Sequence, residues 1–290
     1  MTTRREAVRL LGSASVAWLA ARSGLTARGP QSPPLAAGSP RSPERTALIE
    51  AFRKASDGLE KKFEARTHKG DVPMPYRLFR PEAAGTLPIV MYLHGSGGLG
   101  DDNEKQVAQG NMFGARVWAL PENQKRFPCY VVAPQTDRGW IRYDFSKEPA
   151  IELPGLGDGN RLALAILDGL RREFAIDERR IYVTGQSMGG AGVWNVMAHR
   201  PTLFAAAVIC CGGSSTEDGT EAIDTPLWNF HGDADHTVPV SVSRNRIAAR
   251  RKAGGRPLYT EYAGVDHNSW QWAYTEPELV KWLFTQRRGN

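Results

Sequence analysis

The chain has 290 residues, of which 41% are hydrophobic and 23% charged, the balance of a soluble globular protein with room for one large domain or two small ones. Its net charge is +6, but five of those charges sit in residues 1–43, where Arg4, Arg5, Arg9, Arg22, Arg28 and Arg41 face only Glu6. The remainder is nearly neutral, which argues against a nucleic-acid partner, since that would need a basic face on the domain itself.

The first elements read as targeting rather than fold. Thr3–Arg9 carries an arginine pair, and Leu10–Ala21 is an apolar run too short to span a bilayer. Residues 1–27 therefore read as an export signal of twin-arginine or Sec type, leaving no membrane span in the mature chain. Residues 28–43, with the stretch GPQSPPLAAGSPRSP, have little to bury and read as a disordered linker. Residues 44–290 are expected to form a single folded domain.

Within it, Arg45–Lys62 reads as an opening helix. Phe63–Thr67 and Pro75–Arg80 read as antiparallel leading strands. Short, continuously apolar runs follow at Pro88–Leu93, Tyr130–Ala133, Ile181–Thr184, Ala205–Ile209, Leu227–Phe230 and Leu258–Tyr262. Such runs are the pattern of strands buried on both faces of a parallel sheet. Helical patterns lie between them. Asn160–Phe174 sets Leu162, Ile166, Leu170 and Phe174 on one stripe, Val242–Ala253 reads as a basic amphipathic helix, and Glu278–Gln286 closes the chain. The expectation is an α/β fold, with a mostly parallel central sheet and helices on both faces. Cys129, Cys210 and Cys211 have no regular spacing and make no disulfide framework. One bridge from Cys129 to Cys210 or Cys211 stays open.

The chemistry centres on Gly185-Gln186-Ser187-Met188-Gly189, a G-x-S-x-G pentapeptide between a strand and a helical pattern. In that context it reads as a nucleophile elbow. A serine nucleophile needs a base to take its proton and an acid to orient that base, and after an elbow the acid precedes the histidine in the chain. His267, after the last strand, fits the base. The acid lies in His231–Pro239, where Asp235 can turn toward His267, whereas Asp233 suits a brace for the turn. Asp266 is too close along the chain to orient the ring of His267. Two N–H groups are expected to bind the oxyanion: Met188, after the nucleophile, and Ser96, in the loop His94–Gly98 that follows an early strand.

Trp140 and Trp270, with Gln186, are candidate substrate contacts, although core packing accounts for such tryptophans equally well. Gly100–Asn103 lacks the later glutamate of a calcium loop and reads as a loop brace. No H-E-x-x-H or C-x-x-C occurs, and no glycine motif is read as opening a nucleotide-binding unit, so neither metal nor cofactor is expected.

Taken together these residues resemble an exported bacterial family of α/β-hydrolases known as predicted peptidases or phospholipase/carboxylesterases. That family is related to dienelactone hydrolases, polyhydroxybutyrate depolymerases, and feruloyl and acetylxylan esterases. The matching pieces are Tyr76–Pro81, Leu93–Gly98 with Gly100–Asn103, Ala133–Gln135 with Trp140, Arg180–Gly190, His231-Gly232 with Asp235 and Val238-Pro239, and His267 with Trp270. The resemblance implies an α/β-hydrolase fold and a serine hydrolase using Ser187, Asp235 and His267. The expected function is an exported serine esterase cleaving short acyl or aromatic esters, on small molecules or on polysaccharide. A peptidase or amidase with the same residues is the rival, and a non-catalytic glycan-binding protein on the same fold comes third.

Overall fold

The computed structural model describes residues 42–144, 146–147, 151–213 and 220–289. The proposed export signal and all but the last two residues of the linker lie outside the described residues.

Helix α1 (Pro43–Ala55) begins where sequence chemistry places a start: the Ser42 hydroxyl accepts the Arg45 N–H at 3.3 Å, and Pro43 needs no donor at the first position. It ends sooner than its pattern suggests. Gly58, at φ 70°, turns the chain, and Leu59–Lys62 continues only as a 3₁₀ turn.

The strands follow as β1 (Phe63–Lys69), β2 (Pro73–Phe79), β3 (Leu87–Leu93), β4 (Tyr130–Pro134), β7 (Ile176–Gln186), β8 (Ala206–Cys210), β9 (Leu227–Gly232) and β10 (Leu258–Tyr262). They form one sheet in the order β1-β2-β4-β3-β7-β8-β9-β10. β2 runs antiparallel to both of its neighbours, and every pair from β4 to β10 is parallel. A separate hairpin, β5 (Arg142–Asp144) and β6 (Ile151–Leu153), was not foreseen from the sequence. Nor were the short helices α2 (Met112–Arg116), α3 (Pro121–Arg126) and α7 (Trp270–Ala273). Strand β7 starts five residues before its apolar run, because Ile176 pairs with Leu87 ahead of a register shift, with the charged Asp177–Arg180 lying between it and the next pair, Ile181 with Ile89.

Side chains alternate across the sheet, as strand geometry requires. Val90 and Tyr92 of β3 enter a core on one face with Phe52, Trp118, Tyr274 and Phe284. Ile89, Met91 and Leu93 enter a core on the other face, under α4 (Asp158–Glu173) and α5 (Met188–His199), with Leu162, Ile166, Trp194 and Met197. The α/β-hydrolase sheet with helices on both sides is therefore the observed architecture. Helix α6 (Val240–Lys252) departs from the amphipathic expectation. It buries Ser243, Arg246, Ile247 and Arg250, so part of its basic character points inward. The Arg250 guanidinium donates to the carbonyls of Glu221, Ala222, Ile223 and Thr225, four acceptors that make burial of the charge tolerable.

Two features position the loops at the carboxyl ends of the strands. Gly189 of α5 lies so close to β3 that a Cβ there would sit 1.9 Å from the Leu93 carbonyl oxygen. The second is His94, fully buried after β3. Its Nε2 accepts the Thr136 N–H at 3.1 Å, so Nδ1 carries the proton and donates to the Gly95 carbonyl at 2.8 Å. The ring thus ties the loop after β3 to the loop after β4, and burial pushes its pKa down to about 4.

Two outcomes follow. A methyl group at 189 meets backbone rather than a movable side chain, so Gly189→Ala should cost roughly 3 kcal/mol or more, read as a lowered denaturant midpoint. His94 is neutral when folded and takes up a proton near pH 6.5 when unfolded. Stability should therefore be full above about pH 6.5 and fall as the pH drops toward 4, by on the order of 3 kcal/mol from this residue. Denaturation curves between pH 7.5 and 4.5 measure the loss, and a flat profile would contradict the neutral, buried ring.

Candidate active site

Strand β7 ends at Gln186 and helix α5 begins at Met188, leaving Ser187 alone to make the turn. Its backbone sits at φ 52° and ψ −120°, a conformation that costs a residue with a Cβ about 1–3 kcal/mol. The turn persists because its surroundings determine it. Ser187 N–H donates to the Cys210 carbonyl at 2.9 Å, and the Ser187 carbonyl accepts Ala191 N–H at 3.0 Å as the first bond of α5. Strand, strained serine and helix make the elbow that the pentapeptide suggested.

The three residues assigned from chain order meet. Ser187 Oγ lies 2.7 Å from His267 Nε2, and His267 Nδ1 lies 2.7 Å from Asp235 Oδ2. The Asp235 side chain is fully buried, and its other oxygen accepts the N–H groups of Thr237 and Val238, both at 2.8 Å. A carboxylate held in this way favours the His267 tautomer with its proton on Nδ1, which frees Nε2 to accept from the serine hydroxyl. The competing acids are engaged elsewhere. Asp233 accepts Gly264 N–H at 2.6 Å and braces the turn, while Asp266 accepts the N–H groups of His236 and His267. The Cys211 thiol donates to the His267 carbonyl at 3.2 Å. Cys211, Asp235 and His267 bring three donor atoms within 4.8 Å of one another. The three are already engaged with protein partners: the thiol with the His267 carbonyl, and the aspartate and the ring with each other.

Met188 is the first residue of α5 and Ser96 the first of a 3₁₀ turn, Ser96–Gly98. An N–H at such a position has no acceptor within its own helix. A Cβ on Gly95 would come 3.4 Å from the Gln186 carbonyl, so the two segments lie side by side. The loop is held by residues the sequence reading missed. Gly95 N–H donates to Asn111 Oδ1 at 2.9 Å, and the Tyr92 hydroxyl lies 3.2 Å from that oxygen and 3.0 Å from Gln186 Oε1. Tyr92 is spelled as one more apolar strand residue and Asn111 as one more loop residue, so neither carries a local signal. Gly95–Gly100 also spells G-x-G-x-x-G, a pattern the sequence reading passed over. The chain continues from it into bends and a 3₁₀ turn, with no helix end to face a pyrophosphate.

Two of the three substrate contacts require correction. Trp140 is fully buried: its indole N–H donates to the His94 carbonyl at 2.8 Å and its ring stands edge-on to His94. It is a prop for the loop after β3, not a platform. Gln186 is buried between Tyr92 and the Gly110 carbonyl and faces away from solvent. Trp270 remains at the site, half-buried and edge-on to His267 with ring centres 5.4 Å apart. The cysteine bridge is also ruled out here, because Cys129, Cys210 and Cys211 are all buried free thiols.

Residues 160–271 match the dienelactone hydrolase family. A bifunctional acetylxylan esterase/xylanase of Neocallimastix patriciarum is 25% identical over 155 residues, which are 53% of this chain and 20% of that protein. The crystal structure of a thermostable esterase superimposes with a TM-score of 0.73 at 39% identity, over 79% of this chain and 64% of the esterase. The acylaminoacyl peptidase of Pyrococcus horikoshii shares the fold, with a TM-score of 0.55 at 16% identity over 82% of this chain and 44% of the peptidase. The chain thus spans about a fifth of the curated relative and under two thirds of the esterase. The sheet order, the matched segment and the identity to an esterase together make this chain an α/β-hydrolase in fold, similar to esterases and, over residues 160–271, to the dienelactone hydrolases.

Proposed function

We propose that this protein is an exported serine hydrolase of carboxylic esters, with Ser187 as nucleophile, His267 as general base and acid, and Asp235 as the orienting acid. The observation that carries the proposal is the unbroken pair of 2.7 Å contacts from Ser187 Oγ through His267 to Asp235 Oδ2. In the first step Ser187 Oγ bonds to the ester carbonyl carbon while His267 Nε2 takes the hydroxyl proton. The charge that develops on the carbonyl oxygen is met by the N–H groups of Met188 and Ser96. Collapse breaks the bond to the alkoxy oxygen, and His267 returns its proton to the departing alcohol. Water then attacks the acyl-serine, giving its proton to His267, and the acid leaves as Ser187 recovers its hydrogen.

Short acyl and aromatic esters are the substrates we propose, including acyl groups carried on polysaccharide. The acetylxylan esterase and the thermostable esterase support that class. The half-buried Trp270 beside His267 supplies an apolar wall of the kind that acyl groups and sugar rings pack against. Export rests on the arginine pair and the apolar run of residues 3–21.

Ser187→Ala should lower kcat on p-nitrophenyl acetate by roughly 10⁴-fold or more with folding intact, and activity within a few-fold of the parent would reject the nucleophile. A fluorophosphonate probe should label Ser187 alone, as mapped by peptide mass spectrometry. Asp235→Asn should cost about 10⁴-fold in kcat through the wrong imidazole tautomer, whereas Asp233→Asn should stay within a few-fold. Matched ester and amide substrates decide between esterase and peptidase: a higher kcat/KM on the amide would overturn the ester assignment.

A further inference from the structure

The acid of the site is shared between two histidines. Asp235 Oδ2, which lies 2.7 Å from His267 Nδ1, also lies 3.1 Å from His231 Nε2. His231 is the fifth residue of β9 and has no exposed surface, and Asp235 follows it by one tight turn. The other nitrogen of His231 lies 2.7 Å from Ser243 Oγ on α6, and Asn229 Nδ2 lies 3.2 Å from that same oxygen. Asn229 and Ser243 are fully buried too.

The chemistry of these groups gives the chain of contacts a direction. His231 Nε2 also lies 3.0 Å from the Val238 carbonyl, which can only accept. Nε2 must therefore carry the proton, shared between that carbonyl and the Asp235 carboxylate. Nδ1 must then be an acceptor, and the only hydrogen it can receive is that of the Ser243 hydroxyl. Ser243, having given its hydrogen away, accepts from Asn229 Nδ2. Every donor finds an acceptor, from Asn229 through Ser243 and His231 to Asp235. On the far side of the carboxylate the order is mirrored, with Ser187 donating to His267 and His267 to Asp235. Burial holds the His231 pKa below its ordinary value, so the ring is neutral and adds no charge of its own.

We infer that His231 is a positioning residue of the hydrolytic site, whose Nε2–H fixes the orientation of the Asp235 carboxylate and limits how strongly its charge acts on His267. The inference rests on the serine-hydrolase reading and extends it beyond the three side chains. Without the His231 donor, Asp235 keeps the Thr237 and Val238 N–H groups on Oδ1 but has only His267 on Oδ2. The carboxylate then pulls harder on the His267 proton and is freer to rotate. The first effect makes the imidazolium easier to form, and the second loosens Nε2 against Ser187 Oγ. Other ionisable groups face this cluster without replacing the donor. Asp266 and His236 bind each other at the surface, and Cys211 donates to a backbone carbonyl. Glu261, beside His231 in the register of β10, is held by Arg244 and Tyr259.

The test uses the rate at which a fluorophosphonate modifies Ser187, which depends on His267 and needs no known ester. In His231→Leu the labelling rate at pH 7 should fall about 10-fold, near the worth of the one hydrogen bond that the Asp235 carboxylate loses. The acid limb of its pH profile should move up by roughly half a pH unit. His231→Gln, which can place an N–H near the lost Nε2–H, should recover much of both. Ser243→Ala, which removes the hydrogen that fixes the tautomer, should shift the limb in the same direction by less, and it decides the matter if His231→Leu does not fold. An unmoved acid limb together with parental labelling rates, in a folded His231→Leu or in Ser243→Ala, would overturn the inference. A parent protein that is not labelled at all would instead overturn the serine-hydrolase reading beneath it.

Discussion

The turn from β7 into α5 has no room in it. A side chain on Gly189 would strike the end of β3, and one on Gly185 would come 2.4 Å from the Gly189 carbonyl oxygen. Helix and strands can close to this distance only around residues without a Cβ, and that closeness forces Ser187 into its strained conformation. A serine so placed cannot relax inward, because the backbone on both sides is fixed by the sheet. Its neighbour strand extends the constraint. The last residue of β8 accepts the Ser187 N–H, and the next residue, Cys211, gives its thiol hydrogen to the carbonyl of His267. One strand end therefore tethers both Ser187 and the loop that carries His267.

The same economy of polar groups recurs around the site. His94, Asp235, His231 and Arg250 are buried polar or charged side chains, and each has its partners within hydrogen-bond distance. Buried groups of this kind are costly when unpaired and rigid when paired. Their distribution follows function. His94 and Trp140 fix the loop after β3, where the Ser96 N–H lies. Asp235 and His231 fix the loop after β9. Arg250 gathers four carbonyls of the segment that leads into β9. The apolar cores hold the layers together, but the loops that carry chemistry are held by polar contacts, since apolar packing alone does not specify orientation.

Much of this was legible in the sequence, for identifiable reasons. Continuous apolar runs located the central strands within one or two residues, the early start of β7 excepted, because strands buried on both faces leave no alternation to misread. The contact of Ser187, His267 and Asp235 was legible because chain order constrains it, and the elbow anchors that order at Ser187. Other features depend on partners distant in the chain. Tyr92, Asn111 and Gln186 form one cluster from three segments, and none carries a pattern of its own. Trp140 stayed open between core and substrate contact because sequence shows an aromatic in a loop but not which way the loop folds. The segment of α6 was read as a basic amphipathic helix, although Arg250 turns inward toward carbonyls that no local pattern announces. Charge patterning assumes that water is the best partner for a cation, and here the backbone competes successfully.

Burial also bears on how three free cysteines fit with the export we propose. An oxidising compartment drives thiols to disulfides through the thiolate, and its formation is what burial penalises. Cys129 and Cys211 are pushed up to about 12, and Cys210 well above its ordinary value, each chiefly by loss of solvent. Cys129 is further enclosed by contacts to Gln124 and the Trp118 carbonyl, separated by two strands from the pair at the end of β8. The thiols therefore need neither partners nor a reducing environment to persist, and the Cys211 hydrogen stays available to hold the His267 loop. A residue type that reads as a liability outside the cell becomes, once sealed beneath Ser187, part of what keeps the base in place.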